Sequence, residues 1–378
     1  MKPAGGLVIG IDASRTITGQ RTGTEAYATF LLQALIPLAL AHHHRVRLYF
    51  NQPPPSQLFA AFPEVEQVDI PFPRLWTHLR LAAELHQRPP DVFFTPAHVI
   101  PLSYFGPSVA TVHDLGYHHF PEAHPWRQLV YLRWSTRHNG RRARRVVADS
   151  QATKQDLIQL DGIPADKIDV IYPGVDPALQ PVTDESVITA VLHKYHITPP
   201  YLLYLSTLQP RKNLVRLIQA YAASNLPHRL VLAGKPGWLA QPILETISNL
   251  QSPISQKIVL TGFVDEADKA ALLSGATAVL YPSLYEGFGF PVLEAQACGT
   301  AVLTATTSSL PEVAGDAALL VDPLDTAAIT QGIQTLVHDE AYRHQLVQRG
   351  FENVKKFSWV ETAVQLLHSL EKAARETP

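Results

Sequence analysis

The chain has 378 residues, 46% of them hydrophobic and 17% charged, with a formal net charge of −2. That balance describes a folded globular protein, and it excludes both a disordered chain and binding to nucleic acid through bulk charge. At this length two hydrophobic cores are expected rather than one. The charge is uneven: residues 1–175 carry +3 and residues 176–378 carry −5, so the first half is the better match for an anionic surface. A single cysteine, Cys298, excludes an intramolecular disulfide and a cysteine metal cluster, and its small neighbours mark it as a packed core thiol. LVIGI after one lysine is too short for a signal peptide, and Gln33 and Pro37 interrupt the apolar run Phe30–Ala41. A cytoplasmic protein is expected.

In chain order, LVIGI reads as a buried parallel strand, followed by a polar loop ending at Gly23 and a helix, EAYATFLLQALIPLAL. RVRLYF and VEQVDI alternate as strands do, LWTHLRLAAELHQ has helical spacing, and DVFF is a short strand. SVATV is a strand with His113 and Asp114 just beyond its end. Arg127–Arg145 is a helical stretch with seven arginines. RVVADS is a strand whose Ser150 suits the cap of the next helix. KIDVIY and the turn PGVDP close the first series, and a charged stretch of roughly twenty residues leads into the second.

The second series opens with the strand YLLYLS, the loop LSTLQPRKN and the helix LVRLIQAYAA. RLVLAGKPGW is strand and loop, and KIVLTGFVDEADKAALLSG is strand, loop and helix. The strand ATAVLY then runs into YPSLYEGFGFPVLEAQACGT, a glycine turn and helix with Glu286 in the turn and Glu294 expected in the first helical turn. AVLTA, a loop with SSLPEVAG, AALLVDP and three helical segments complete the chain. Two successive β/α series without hairpin signals imply an α/β protein of two doubly wound, Rossmann-like domains, with a ligand expected in the cleft between them.

Chemistry concentrates in a few places. Arg211 and Lys212 lie at the start of a helix, where positive side chains oppose the helix dipole; a bound diphosphate would resolve the conflict, and a solvated loop pair is the alternative. Gly23 holds the corresponding place in the first domain, as close-approach glycine or simple turn. His113 follows a buried strand at the carboxyl end of a sheet, a better place than most for touching a ligand. No Asp-x-Asp occurs, and His42, His43 and His44 suit a helix end better than a metal site. The arginine-rich segment with Tyr131 and Trp134 reads either as a solvated helix face or as a surface for an anionic membrane. No G-x-G-x-x-G is present, which counts against a nicotinamide-dependent oxidoreductase.

Together EGFGFPVLEA, PRKN, TVHDL and VIYPGVD, with SLPEVAGDAALLVDP, LTGFV and LAGKPGW, resemble the retaining glycosyltransferases of family 4. These have the two-domain fold called GT-B. The similarity runs from about Gly10 to Phe357, and RTGTEAY and GKPGW are similar to the branch of bacterial mannosyltransferases that build polysaccharide. The resemblance implies an acceptor-side domain over residues 1–176, a nucleotide-sugar domain over 177–357, and a last helix, 358–378, crossing back onto the first domain. It also implies transfer of a hexose, mannose being favoured, from GDP-mannose or a UDP-hexose to a glycan or lipid-linked acceptor, with retention and with no metal or other cofactor. Arg211 and Lys212 would neutralise the donor diphosphate, Glu286 would bind sugar hydroxyls and Glu294 the ribose. The backbone of Gly287, Phe288, Gly289 and Phe290 would lie along the sugar and phosphates, with Phe263 and Val264, after Gly262, near the base. Gly23 would leave room for the diphosphate, and His113 would contact the transferred sugar. The implied location is cytoplasmic, with peripheral contact to the inner membrane face through Arg127–Arg145. Ser206 stands where the family often has glycine, which narrows the phosphate loop. A catalytically silent sugar-nucleotide-binding subunit is the rival reading.

Overall fold

In the computed structural model, residues 6–17, 23–55, 57–72, 74–97 and 99–376 are described. They form two compact units. One comprises Met1–His118, Trp126–Gly174 and Phe357–Pro378, and the other comprises His119–Pro125 and Val175–Lys356.

The first unit is built on β1 (Val8–Asp12), β2 (Arg45–Phe50), β3 (Glu66–Asp69), β4 (Val92–Thr95), β5 (Ser108–Val112), β6 (Arg145–Ala148) and β7 (Ile168–Val170). They pair in parallel in the order β3-β2-β1-β4-β5-β6-β7. Every residue of β4, β5 and β6 is buried, which explains their continuous apolar runs: a parallel sheet covered on both faces needs no alternation. Among the described residues, the helix Gly23–Ala41 is the one long and apolar enough to cross a membrane, but half of its apolar window is buried within the fold. Tyr27, Leu31, Leu32 and Leu35 lie on its buried side, marking it as a core helix.

The last helix, Trp359–Arg375, packs on the helix Gly23–Ala41, and Trp359 stacks on Phe30 with centroids 5.8 Å apart. The strand β6 receives its far end. The Arg144 guanidinium donates to the Ala373 carbonyl at 2.9 Å, and Arg145 forms a forked pair with Asp169, to which Ser369 also donates at 2.7 Å. The arginine-rich helix itself covers Trp126–Arg142. Arg145 therefore leaves the surface proposed for residues 127–145, its buried side chain at the start of β6 held by Asp169, and the half-buried Arg144 just before the strand turns to the carbonyls at the end of the last helix. Ser150 caps the next helix as expected, its hydroxyl accepting from Thr153 N–H at 3.0 Å.

The second unit carries β8 (Tyr201–Leu205), β9 (Arg229–Ala233), β10 (Ile258–Gly262), β11 (Ala278–Tyr281), β12 (Val302–Ala305) and β13 (Leu319–Val321). These too are parallel, in the order β10-β9-β8-β11-β12-β13. Three helices of this unit escape the sequence pattern, the short Leu310–Ala314 within the SSLPEVAG loop among them. Glu185–Lys194 lies in the charged stretch before β8 and is capped by Asp184, and Gln241–Ser248 follows the loop after β9. The helix after β11 runs Phe290–Ala297, which places Glu294 in its second turn rather than its first.

Arg145→Ala is expected to destabilise the first unit by about 2–4 kcal/mol, because it strands Asp169 in a half-buried place without its cation. Urea denaturation checks this: the first unit's transition should move to lower urea with the second's unchanged, and a loss under about 1 kcal/mol would contradict it.

Candidate functional site

In the second sheet the strand order reverses between β8 and β11. Loops leaving the carboxyl ends of two such neighbours diverge and open a crevice, where open α/β sheets place their ligands. Here the loops carry Arg211 and Lys212 from one side and Glu286 from the other. The turn Pro210–Lys212 precedes the helix Leu214–Ser224, and Asn213 between them adopts a left-handed conformation at φ 61°. Its amide donates to the carbonyls of Pro282 at 3.0 Å and Pro323 at 2.6 Å, which ties the β8 loop to those after β11 and β13.

Glu286 is 6% exposed, and its carboxylate is saturated. Oε1 accepts from Lys212 Nζ at 2.6 Å, from the Ser283 hydroxyl at 2.6 Å and from the Tyr281 hydroxyl at 2.9 Å. Oε2 accepts from Arg211 at 3.1 Å. Lys212 also donates to the Tyr281 oxygen at 2.7 Å, so a lysine, a phenol and a carboxylate close a ring of hydrogen bonds. Burial alone would raise the Glu286 carboxyl, but Lys212 and then Arg211 outweigh it and hold it at about 2. The backbone is fixed as well: Glu286 N–H donates to the Ser308 hydroxyl at 2.9 Å, and the Ser309 hydroxyl donates to the Glu286 carbonyl at 2.9 Å. The awkward cations at the helix start thus already have an anion, the carboxylate of this chain.

Beyond Glu286 the chain stays inside. Gly287, Phe288 and Gly289 are buried, and Phe288 and Phe290 meet edge to face at 5.1 Å. Gly289 caps the helix start at φ 118°, a backbone conformation costly for any residue with a Cβ, and an added Cβ would lie 2.9 Å from Leu310. Gly262 ends β10 in the left-handed region at φ 69°, with open space around it. Of the two residues after it, Phe263 is exposed, whereas the side chain of Val264 belongs to the hydrophobic core, so only its backbone can face a ligand. Glu294 pairs with Lys269 at 3.0 Å, and Lys269 pairs with Glu266 at 3.3 Å. The segment His119–Pro125 lies in this unit as well: His119 stacks on Tyr285 at 4.7 Å, and Trp238 of the GKPGW loop donates its indole N–H to the Ala123 carbonyl.

In the first unit, Gly23 is exposed and opens the helix Gly23–Ala41, while residues 18–22 of the loop before it lie outside the described residues. His113 stands immediately past β5, one strand from the reversal between β1 and β4. Its Nδ1 is 2.6 Å from Asp149 Oδ2, and its Nε2 is 2.9 Å from the Pro96 carbonyl oxygen. Tyr27 packs edge-on against the ring at 4.7 Å. A different cluster, His42, His44 and Glu371, has ligand atoms within 4.8 Å of one another. There His44 Nδ1 accepts from Leu7 N–H at 3.0 Å, so Nε2 carries the proton facing Glu371 at 2.9 Å. A metal would have to displace that proton and set Nδ1–H against Leu7 N–H, so the cluster acts as a helix tether.

Sequence reasoning missed Tyr281, Ser283, Ser308, Lys269 and Asp149. Asp149 alone carried a usable signal, a carboxylate at the carboxyl end of a buried strand.

Two family descriptions match the chain: Glycosyltransferase Family 4 over residues 22–179 and Glycosyl transferases group 1 over residues 193–353. The chain is 32% identical over 267 residues to the O-antigen chain mannosyltransferase B of Escherichia coli, covering 69% of each protein. It is 34% identical over 232 residues to the serotype-specific mannosyltransferase WbdA of Escherichia coli, covering 59% of this chain and 28% of that longer protein. Among solved structures it resembles Anabaena HepE in complex with UDP and glucose, with a TM-score of 0.74, 20% identity, and coverage of 96% of this chain and 99% of that one. Two Rossmann-like parallel-sheet units with these relatives place the protein in glycosyltransferase family 4, and the chain is a glycosyltransferase of the GT-B fold.

Proposed function

We propose that the chain transfers a hexose, mannose being favoured, from a nucleoside-diphosphate sugar to a glycan or lipid-linked acceptor, with retention of configuration and without a metal. GDP-mannose is the favoured donor and a UDP-hexose the alternative. The observation that carries this reading is the convergence of Arg211, Lys212 and Glu286 at the reversal of the second sheet. The two mannosyltransferase relatives support the sugar, and the O-antigen relative supports a glycan acceptor.

The chemistry follows from charge. As the bond from the anomeric carbon to the diphosphate breaks, negative charge grows on the leaving oxygen. Two fixed cations beside it stabilise that charge in the role a metal fills elsewhere. To serve the diphosphate, Arg211 and Lys212 must be shared with or taken from Glu286. The carboxylate, which can accept four hydrogen bonds, then gains capacity for sugar hydroxyls. Glu294 is an acceptor for the ribose diol, held ready by Lys269. The backbone of Gly287–Phe290 lines the sugar and phosphates, Phe263 and the backbone of Val264 flank the base, Gly23 leaves room for the diphosphate, and His113 contacts the transferred sugar. The acceptor hydroxyl attacks on the face the diphosphate leaves, forming the new C–O bond, and its proton passes to the departing phosphate oxygen.

The arginine-rich helix adds a place to work. Its exposed stripe holds Arg127, Val130, Tyr131, Trp134, Arg137 and Arg141, and the helix contains no acidic residue. Phe105, 76% exposed, extends this face under Arg142 at 3.9 Å. Exposed aromatics among cations fit the interface of an anionic bilayer, and the position is the cytoplasmic membrane face.

Glu286→Ala should cut transfer from GDP-mannose at least about a hundredfold while leaving GDP affinity equal or tighter, because two cations are released. Unchanged transfer would overturn the assignment, and a wild-type chain that binds GDP-mannose but never turns it over would be the silent subunit. Pairing depresses the Glu286 carboxyl, so its contribution to stability should be complete above the free-carboxyl value of 4.5 and lost as pH falls toward about 2. Acid titration of the folded fraction, compared with Glu286→Gln, reads this.

Lys212→Ala should slow turnover roughly 10²–10³-fold, the usual cost of losing one donor at a developing anion, whereas a chelator should leave the wild-type rate unchanged. Loss of activity on chelation that magnesium or manganese restores would refute metal independence. Co-sedimentation with phosphatidylglycerol vesicles should retain the wild type at low salt and lose it in Trp134→Ala/Arg141→Ala; equal binding to phosphatidylcholine, or none to either, would refute the membrane face.

A further inference from the structure

His113 has no lone pair to offer. A backbone carbonyl can only accept, so the ring nitrogen 2.9 Å from the Pro96 oxygen must carry a hydrogen. The other nitrogen lies 2.6 Å from Asp149 Oδ2; imidazole is the stronger base in water, and although burial raises the Asp149 carboxyl, His113, against its own burial, is raised as well by Asp149 and the Pro96 carbonyl. Both nitrogens therefore hold protons and the ring is an imidazolium. Asp149 is 2% exposed, and its second oxygen, Oδ1, is buried and has no hydrogen-bond partner among the described residues. Its negative charge depends on His113 for compensation.

We propose that Asp149 is a positioning residue that holds His113 as a doubly protonated, fixed cation, so that the first unit brings to the reaction an ion pair and not a proton-accepting base. What the pair does for transfer rests on the transferase reading above; its protonation rests on the hydrogen-bond geometry and the greater basicity of the imidazole. The consequence for mechanism is specific. His113 cannot take the acceptor's proton, which leaves the departing phosphate oxygen as its destination.

The surroundings agree. Asp114, the next residue, adds a second nearby carboxylate, its Oδ1 accepting from Gly116 N–H at 2.9 Å. From the helix Gly23–Ala41 comes Tyr27, whose hydroxyl lies 3.3 Å from Thr111 Oγ1 and whose phenol burial pushes well above its ordinary range, so it stays neutral. From the helix after β6 comes the uncharged Thr153, 3.4 Å from the His113 carbonyl. Burial pulls the imidazole down, but Asp149, the Pro96 carbonyl and Asp114 together raise it. A raised imidazole keeps its charge below its folded pKa and loses it as pH rises through that value, so the pair imposes an alkaline limb.

The test is ring-nitrogen NMR of the full chain across pH, with His113 assigned by the signals missing in His113→Gln, beside the pH profile of GDP release from GDP-mannose. His113 should keep both ring protons at pH 7 in the wild type. Asp149→Asn should weaken its proton affinity at least tenfold and move the alkaline limb of kcat down by the same interval, and Asp149→Glu should restore both. A wild-type His113 with one bare nitrogen at pH 7 overturns the proposal. So does a limb that stays in place in Asp149→Asn while the ring titration moves. If Asp149→Asn does not fold, the wild-type titration still decides the protonation state. A chain that never releases GDP, yet whose His113 titration falls in Asp149→Asn, keeps the pair and removes the transferase reading.

Discussion

A carboxylate in a nearly closed site stays ionised only if cations accompany it, and the second unit is arranged around meeting that condition for Glu286. Desolvation of a lone carboxylate would neutralise it. Lys212 and Arg211 come from the loop after β8, while Tyr281 and Ser283 sit at the end of β11, so the carboxylate binds together the two strands where the sheet order reverses. Asn213 fastens the same loop to those after β11 and β13. The crevice is thus held by charge and hydrogen bonds at its mouth, above a largely apolar sheet whose polar contribution to the carboxylate is the Tyr281 hydroxyl at the end of β11.

The first unit meets the same condition with different residues. Asp149 immediately follows β6, His113 follows β5, and these strands are neighbours, so a buried anion again meets a cation across a strand pair, here one cation in place of two. Arg145 and Asp169 repeat the arrangement at the start of β6 and on β7, where the pair secures the last helix. In all three places a parallel sheet brings side chains from different parts of the sequence to adjacent strands, and opposite charge decides which loop lies against which.

Much of this was legible in the sequence. The strands read clearly because a sheet covered on both faces demands continuous apolar runs, and Pro-Arg-Lys-Asn and Glu286 stood out as polar groups immediately past such runs. The side chains that hold Glu286 and His113 in place were less legible. Tyr281 looks like a core aromatic and Ser283 like a turn residue until the fold brings their hydroxyls to one carboxylate oxygen. Asp149 hid beside Ser150, whose capping role explained the local pattern without it. The helix Glu185–Lys194 is hard to read because it lies in a charged stretch and only Ile188, Val191 and Leu192 face the core, while Val187 is exposed. Arg145 belongs equally to an arginine run and to a strand, and only its partner Asp169 decides between them.

On the proposed reading, Glu286 also bears on the direction of events. Two cations against one carboxylate leave the crevice with one positive charge in excess. A diphosphate that draws Arg211 and Lys212 away would leave Glu286 buried without cations, a state as costly as the one the fold is built to avoid. Hydroxyls of the sugar can repair that loss, because each is a donor placed where a cation has withdrawn. A nucleoside diphosphate without its sugar cannot. Donor and product therefore differ at this residue more than their shared diphosphate suggests: the intact donor satisfies both the cations and Glu286, whereas the product satisfies only the cations. Once the sugar has moved to the acceptor, Glu286 competes again for Arg211 and Lys212, and the same carboxylate that helped seat the donor helps to release what remains of it.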